Sequence, residues 1–303
     1  MKTNFFKSAL LALLCAVLFA GCVRIELPVP EPQTVYASFY PIYALAAGVC
    51  ENVPGLTLSC LTQPQDGCLR SYSLSDWDAA LLSGADMLIM SGRGLENWEE
   101  TLEGCALPVL KAAEGLHLLG EDEQTTDESG HFEGTNPWAF LSVQGARGMT
   151  AAIAAGMSAL DPDYAAIYAE NLAAMEKRFD ALSADMRSAL SGIDLPGMIL
   201  MQEGLAYFAR DIGAVSYIEI EREAGSDMSD IEFADALEKM SASGYSLVLI
   251  EKQAPQGLIK ALENEGYTVV LIDILTDHSE SEGADGYFSA MLRSTQALAA
   301  ALE

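Results

Sequence analysis

Short apolar runs bounded by turn residues recur along this chain and alternate with longer Ala- and Leu-rich stretches. The runs at 35–39, 56–61, 86–90 and 116–119 predict strands in the first half. Those at 198–201, 215–220, 247–251 and 268–272 predict strands in the second. Between them, 42–50, 75–83, 231–241 and 257–266 carry helical spacing. Short buried strands alternating with helices predict parallel sheets in α/β layers.

One pattern is longer than the rest. Tyr168, Leu172, Met175, Phe179, Leu182, Met186 and Leu190 recur at spacings of four and three, forming a single apolar stripe. Asp161-Pro162 reads as an N-cap followed by proline at the first helical position, and Ser191-Gly192 with Pro196 as the stop. A helix of about 28 residues would be about 42 Å long. That exceeds the need of one small lobe and predicts a rigid backbone between two; the alternative is a long helix packed within one large domain. The fold class expected is α/β, with two Rossmann-like lobes built on parallel sheets and joined by one long backbone helix.

At the N-terminus, Lys2 and Lys7 precede an apolar run at 9–20 that ends in Gly21-Cys22. The run is too short for a permanent span and suits a signal peptide. Residues 18–22 resemble a bacterial lipobox, with Phe19 where leucine is usual. Cys22 is then the expected lipid acceptor, and Pro28, Pro30 and Pro32 keep an extended spacer. The other reading is an ordinary secretory signal beside a cysteine. The expected division is signal peptide 1–21, tether 22–33, first lobe 34–160, interlobe helix 161–192 and second lobe 193–303.

Composition narrows the partners. Half the chain is apolar, enough to bury real cores, while 44 acidic against 16 basic residues leave a formal charge of −28. No basic patch is available to neutralise phosphates, so nucleic acid is excluded as a partner. The same charge disfavours docking of the folded body on anionic lipid. Cys15 would leave with the leader, and Cys50, Cys60, Cys68 and Cys105 could form one or two disulfides whose pairing no spacing fixes. The acidic stretch 121–134, which holds His131, reads as a solvated, mobile loop. No GxSxG elbow, P-loop or HExxH occurs, and His117 lies in an apolar run as an expected strand residue, so an enzyme is not expected.

Several segments, in order, resemble one family. They are Val35-Tyr36-Ala37-Ser38-Phe39-Tyr40-Pro41, Gln65-Asp66-Gly67-Cys68 with Ser75-Asp76, Gly94-Leu95-Glu96-Asn97-Trp98, Asn136-Pro137-Trp138-Ala139-Phe140-Leu141-Ser142, Glu203-Gly204 with Tyr207-Phe208-Ala209, and Leu275-Thr276-Asp277. The chain resembles the solute-binding lipoproteins of zinc and manganese ABC importers. The resemblance implies two lobes with a zinc or manganese ion held between them as cargo. It implies a monomer on the outer face of a bacterial membrane that delivers the ion to a membrane permease and performs no chemistry.

The metal ligands are where this sequence departs from that family. The resemblance implies two histidines from the first lobe, a histidine or glutamate from the second, and often an aspartate. Here the first histidine falls on Cys68 and the second on Trp138, which cannot ligate. The third falls on Gln202 or, with one residue skipped, on Glu203, and the aspartate falls on Asp277. A transition-metal site of Cys68, Glu203 and Asp277, completed by His278 or His131, is one expectation; its thiolate would favour zinc over manganese. The alternative is a repurposed cleft in which Arg70, Tyr72 and Trp138 hold an organic or chelated ligand. A surface interaction or adhesion lipoprotein on the same scaffold is a third.

Overall fold

The computed structural model describes residues 32–64, 69–102, 104–121, 125–126, 132–133, 135–220, 222 and 224–303. Two four-stranded parallel sheets organise residues 33–303. In the first, β1 (Gln33–Ala37) lies between β2 (Leu56–Cys60) and β3 (Met87–Met90), and β4 (Val109–Lys111) closes the far edge. In the second, the order is β10 (Thr268–Ile272), β9 (Leu247–Glu251), β7 (Met198–Leu200) and β8 (Tyr217–Glu219). A two-stranded antiparallel pair, β5 (Thr125–Thr126) with β6 (Phe132–Glu133), sits within the acidic stretch.

Parallel sheets of this kind are covered on both faces, so their central strands read as continuous apolar runs. Every residue of β3 and of β9 is buried. Alternation still sorts the side chains of β9: Leu247 and Leu249 enter the main core, whereas Val248 and Ile250 enter a second cluster on the other face.

The crossover helices are α1 (Tyr40–Val49) and α2 (Asp76–Leu82) in the first lobe, and α5 (Leu205–Asp211), α6 (Asp230–Ser243) and α7 (Gln256–Asn264) in the second. The starts of α2 and α6 are fixed by the same device. Ser75 and Asp78 exchange backbone N–H bonds with each other's side chains, as do Ser229 and Glu232. Helix α6 stops at Gly244, whose φ of 71° suits glycine at a helix end.

Helices α3 (Val143–Leu160), α4 (Ala165–Ala189) and α8 (Asp285–Leu302) link the two lobes. The long element begins with a 3-10 turn, Pro162–Tyr164, before 25 residues of α-helix. Proline opens that turn as expected, but the Asp161 side chain makes no capping bond. The stripe behaves as its spacing predicts, with Tyr168, Met175, Phe179, Leu182 and Met186 buried. Asn171 Nδ2 donates to the carbonyls of Val49 and Glu51, 2.8 Å each, tying α4 to the end of α1. Arg147 of α3 pairs with Glu176 and Asp180, and Arg178 pairs with Asp285 of α8 while lying over the Phe288 ring. Gly48 lets α1 approach closely, since a Cβ there would lie 2.3 Å from Met175 Sδ.

One expected strand is absent. Residues 116–119 form an irregular loop, and the fourth strand is β4, just after Pro108. Side chains take the backbone groups that a ladder would have used: Leu118 N–H donates to Glu121 at 2.8 Å and Leu119 N–H to the Tyr207 hydroxyl at 2.9 Å. His117 is therefore an exposed loop residue 3.3 Å from Glu121, not a strand residue. Cys50 and Cys105 carry free thiols. Among the described residues, no helix is long and apolar enough to cross a membrane.

Candidate metal centre

The carboxyl ends of the two sheets face each other, the position where open parallel sheets place their ligands. Arg70, beyond the end of β2, reaches Glu203, beyond the end of β7, at 2.7 Å. Tyr40, just past β1, stacks on His278, which follows β10, with ring centroids 5.0 Å apart and planes at 18°. Glu280 accepts the backbone N–H of Cys60 at the end of β2. The hydroxyls of Tyr40 and Tyr43 donate to the Gly283 and Glu280 carbonyls at 2.9 and 3.3 Å.

One side of this junction is built by Asn136-Pro137-Trp138. Asn136 accepts the Trp138 N–H at 3.1 Å and donates to the Glu203 carbonyl at 2.7 Å. Trp138 is 1 % exposed, and its indole Nε1 donates to Glu203 Oε1 at 2.9 Å. Glu203 Oε1 thus accepts from both an indole and a guanidinium. Gly204 makes room for the indole, because a Cβ there would lie 2.7 Å from Trp138 Cβ and Cγ.

The other side is an ionic cluster at the ends of β9 and β10. Their register places Lys252 beside Asp273, with the Lys252 N–H donating to the Ile272 carbonyl. Lys252 Nζ lies 2.8 Å from Asp273 Oδ2 and 3.0 Å from Asp277 Oδ1. His278 Nε2 lies 2.9 Å from that same Asp273 oxygen, and its Nδ1 lies 2.8 Å from Glu282 Oε2. Asp273 Oδ1 accepts the N–H of Leu275, whose φ of 68° folds the chain back so that Asp277 and His278 return to the aspartate. The Ser294 hydroxyl accepts the Asp273 N–H at 3.0 Å.

The charges of this cluster follow from its contacts. Burial pushes the Asp273 carboxyl up, but hydrogen bonds from His278 and Lys252 outweigh it and hold the group at about 2. Burial pulls His278 and Lys252 down, and this is more than reversed by the bond to Asp273 in His278 and by the bonds to Asp273 and Asp277 in Lys252. Asp273, Asp277 and His278 each offer a ligand atom within 4.8 Å of the others, and this is the one such group of three or more among the described residues. Carboxylate and imidazole donors suit zinc or manganese, and Lys252 Nζ already places a cation against both aspartates.

Of the residues singled out from the sequence, Asp277 and His278 fall in this group. Glu203 does not; it is engaged by Arg70 and Trp138. Gln202 is 2 % exposed, and its Oε1 has no hydrogen-bond partner. Tyr72 donates its hydroxyl to Asp78 at 2.8 Å and packs edge-on against Phe39 and Trp98, within the first lobe. Cys22, Cys68 and His131 lie outside the described residues. Asp273 and Lys252 were not singled out; the buried Asp at the end of an apolar strand run was the available signal.

The chain matches, over residues 35–301, the family described as ZnuA, zinc-uptake complex component A, periplasmic. No curated protein matches it. Solved structures share the fold. The solute-binding protein FpvC of Pseudomonas aeruginosa, in complex with Mn2+, has a TM-score of 0.77 at 20% identity, over 90% of this chain and 99% of that one. A ZnuA crystal structure gives 0.73 at 23%, over 90% and 100%. The Zn(II)-bound ZnuA-like domain of Streptococcus pneumoniae AdcA gives 0.71 at 21%, over 90% and 99%. With nearly all of the two-sheet body matched, this chain belongs to the ZnuA family of zinc-uptake binding components.

Proposed function

We propose that this protein is an extracytoplasmic solute-binding lipoprotein that captures zinc or manganese and delivers it to the permease of an ABC importer. Its metal site is degenerate relative to the histidine set that the family resemblance implies. The observation that carries the reading is the meeting of Asp273, Asp277 and His278 at the junction of the two sheets. Mn2+ in FpvC and Zn(II) in the AdcA domain support the choice of ions. Cys68 remains a candidate further ligand from the first lobe, and Glu203 becomes one if Arg70 releases it. On this reading the protein binds and hands over its ion and catalyses nothing.

Elemental analysis of protein purified without chelators, together with thermal shifts in zinc and manganese, tests the capture. A tight ligand raises the melting temperature by mass action. No retained metal and no shift would remove the reading, and a Cys68→Ser variant that binds as well as wild type would remove the thiolate. The anchor is tested separately: Cys22→Ala should release the protein from the membrane fraction.

Arg70 favours a second reading. Its side chain is 45% exposed, leaving a guanidinium open to an anion. An anionic chelate of the ion would then be the ligand, and a thermal shift with the metal chelate but not the bare ion would select it. Trp138 offers such a ligand no open aromatic face.

A further inference from the structure

Lys252 sits where a cation would bind. Its Nζ touches one oxygen of each aspartate in the candidate centre, at 2.8 and 3.0 Å. It shares Asp273 Oδ2 with His278. From this geometry we infer that Lys252 is a tethered counter-cation that the incoming metal ion must displace, so it sets the affinity threshold of the site. This inference rests on the metal-capture reading and adds a residue to it.

The argument is one of charge and of freedom to leave. An ammonium is a compact point charge on a flexible stem, and it supplies one positive charge where a divalent ion supplies two. An ion bound to the same two oxygens would lie within direct repulsion of Nζ. One of them must leave. Lys252 is 32% exposed in its side chain, so its ammonium can swing into water. His278 cannot do so easily: it is 3% exposed, bonded at both ring nitrogens, and covered by Tyr40. Lys252 is therefore the partner of the aspartates that can leave, and His278 the one that stays. Arg293, whose Nη2 is 3.8 Å from Asp273 Oδ2 and whose side chain is 59% exposed, is a more distant contributor. While Lys252 holds the aspartates, they do not face each other as bare like charges, and weakly bound ions that cannot displace the ammonium are rejected.

The test titrates Zn2+ and Mn2+ into wild type, Lys252→Met and Lys252→Arg by calorimetry, with circular dichroism to verify folding. Lys252→Met should bind the ion about tenfold more tightly, since it removes one neighbouring positive charge. Lys252→Arg should remain close to wild type. In wild-type protein, acetylation of Lys252 by an amine-specific reagent, read by mass spectrometry, should rise when the ion is added. If Lys252→Met binds no better than wild type and the labelling is unchanged, Lys252 is not the displaced group, while the metal-capture reading stands. If none of the three proteins binds either ion, both fail. If Lys252→Met does not fold, the labelling of wild type decides the question.

Discussion

Arg70 and Glu203 lie 133 positions apart in the chain, yet their side chains meet at 2.7 Å across the junction of the two lobes. The pair is partly open to solvent, at 45% and 34%. Exposed pairs contribute little to stability, so Arg70→Ala should cost under about 1 kcal/mol. Urea unfolding measures this directly, and a loss of several kcal/mol would show that the pair holds the lobes together.

Gly204→Ala should cost more, although it adds only one methyl group. The backbone φ there is −63°, which alanine accepts, but the new Cβ would press on Trp138 at 2.7 Å. Overpacking of this kind costs about 1–3 kcal/mol. A shift in the Trp138 fluorescence, with a lowered urea midpoint, is the expected result; an unchanged midpoint would mean that the indole has room to move.

Asp273→Asn should abolish the metal-induced rise in melting temperature, and Asp277→Asn should only reduce it. Asp273 is 7% exposed and serves both Lys252 and His278, whereas Asp277 is 43% exposed. Equal loss in the two variants would contradict this ranking. Asp273→Asn should also lower stability by about 1–3 kcal/mol, because it removes a charged acceptor from the buried His278 ring.

Glu96 predicts a pH dependence in the first lobe. The group is 1 % exposed and accepts bonds from Ser38 Oγ and from the Ser91 and Gly92 N–H groups. Burial outweighs those bonds and pushes its carboxyl up to about 7. A carboxyl raised on folding binds its proton more tightly in the native state, so stability falls as pH rises from about 4.5 to about 7 and levels off above. The slope is at most about 1.4 kcal/mol per pH unit. Subtracting the profile of Glu96→Gln from that of wild type isolates this contribution; a difference that is flat over the window would contradict it.

Strand runs and the apolar stripe made most of the fold legible in the sequence. The runs 247–251 and 268–272 coincide with β9 and β10 because turn residues bound them on both sides. The stripe predicted the buried face of α4. The run 116–119 misled because periodicity cannot tell a strand from a loop that packs apolar side chains: Leu116 fills the space beside Gly148, 2.6 Å from where a Cβ would stand. Helix α3 lacks the run of large apolar residues that marks α4, because its buried face mixes Ala146, Thr150 and Ala154 with Met149, Ile153 and Met157. At the site, Asp277 and His278 were visible through local motifs. Lys252 and Asp273 were not, because their meeting depends on the register between two strands, which no local pattern encodes.

The segment that carries Asp277 and His278 is also the segment that grips the first lobe, through Tyr40, Tyr43 and Cys60. If the ion binds there as proposed, ion affinity and lobe contact would draw on the same few residues, and thermodynamic reciprocity would apply to them. Whatever tightened the grip on the first lobe would then steady the ligands, and a partner that pried this segment away would weaken ion binding by the factor by which the ion weakens that partner's binding. On the proposed capture role, unloading would then need no separate trigger: the mechanical act of separating the lobes would itself be the signal to let go.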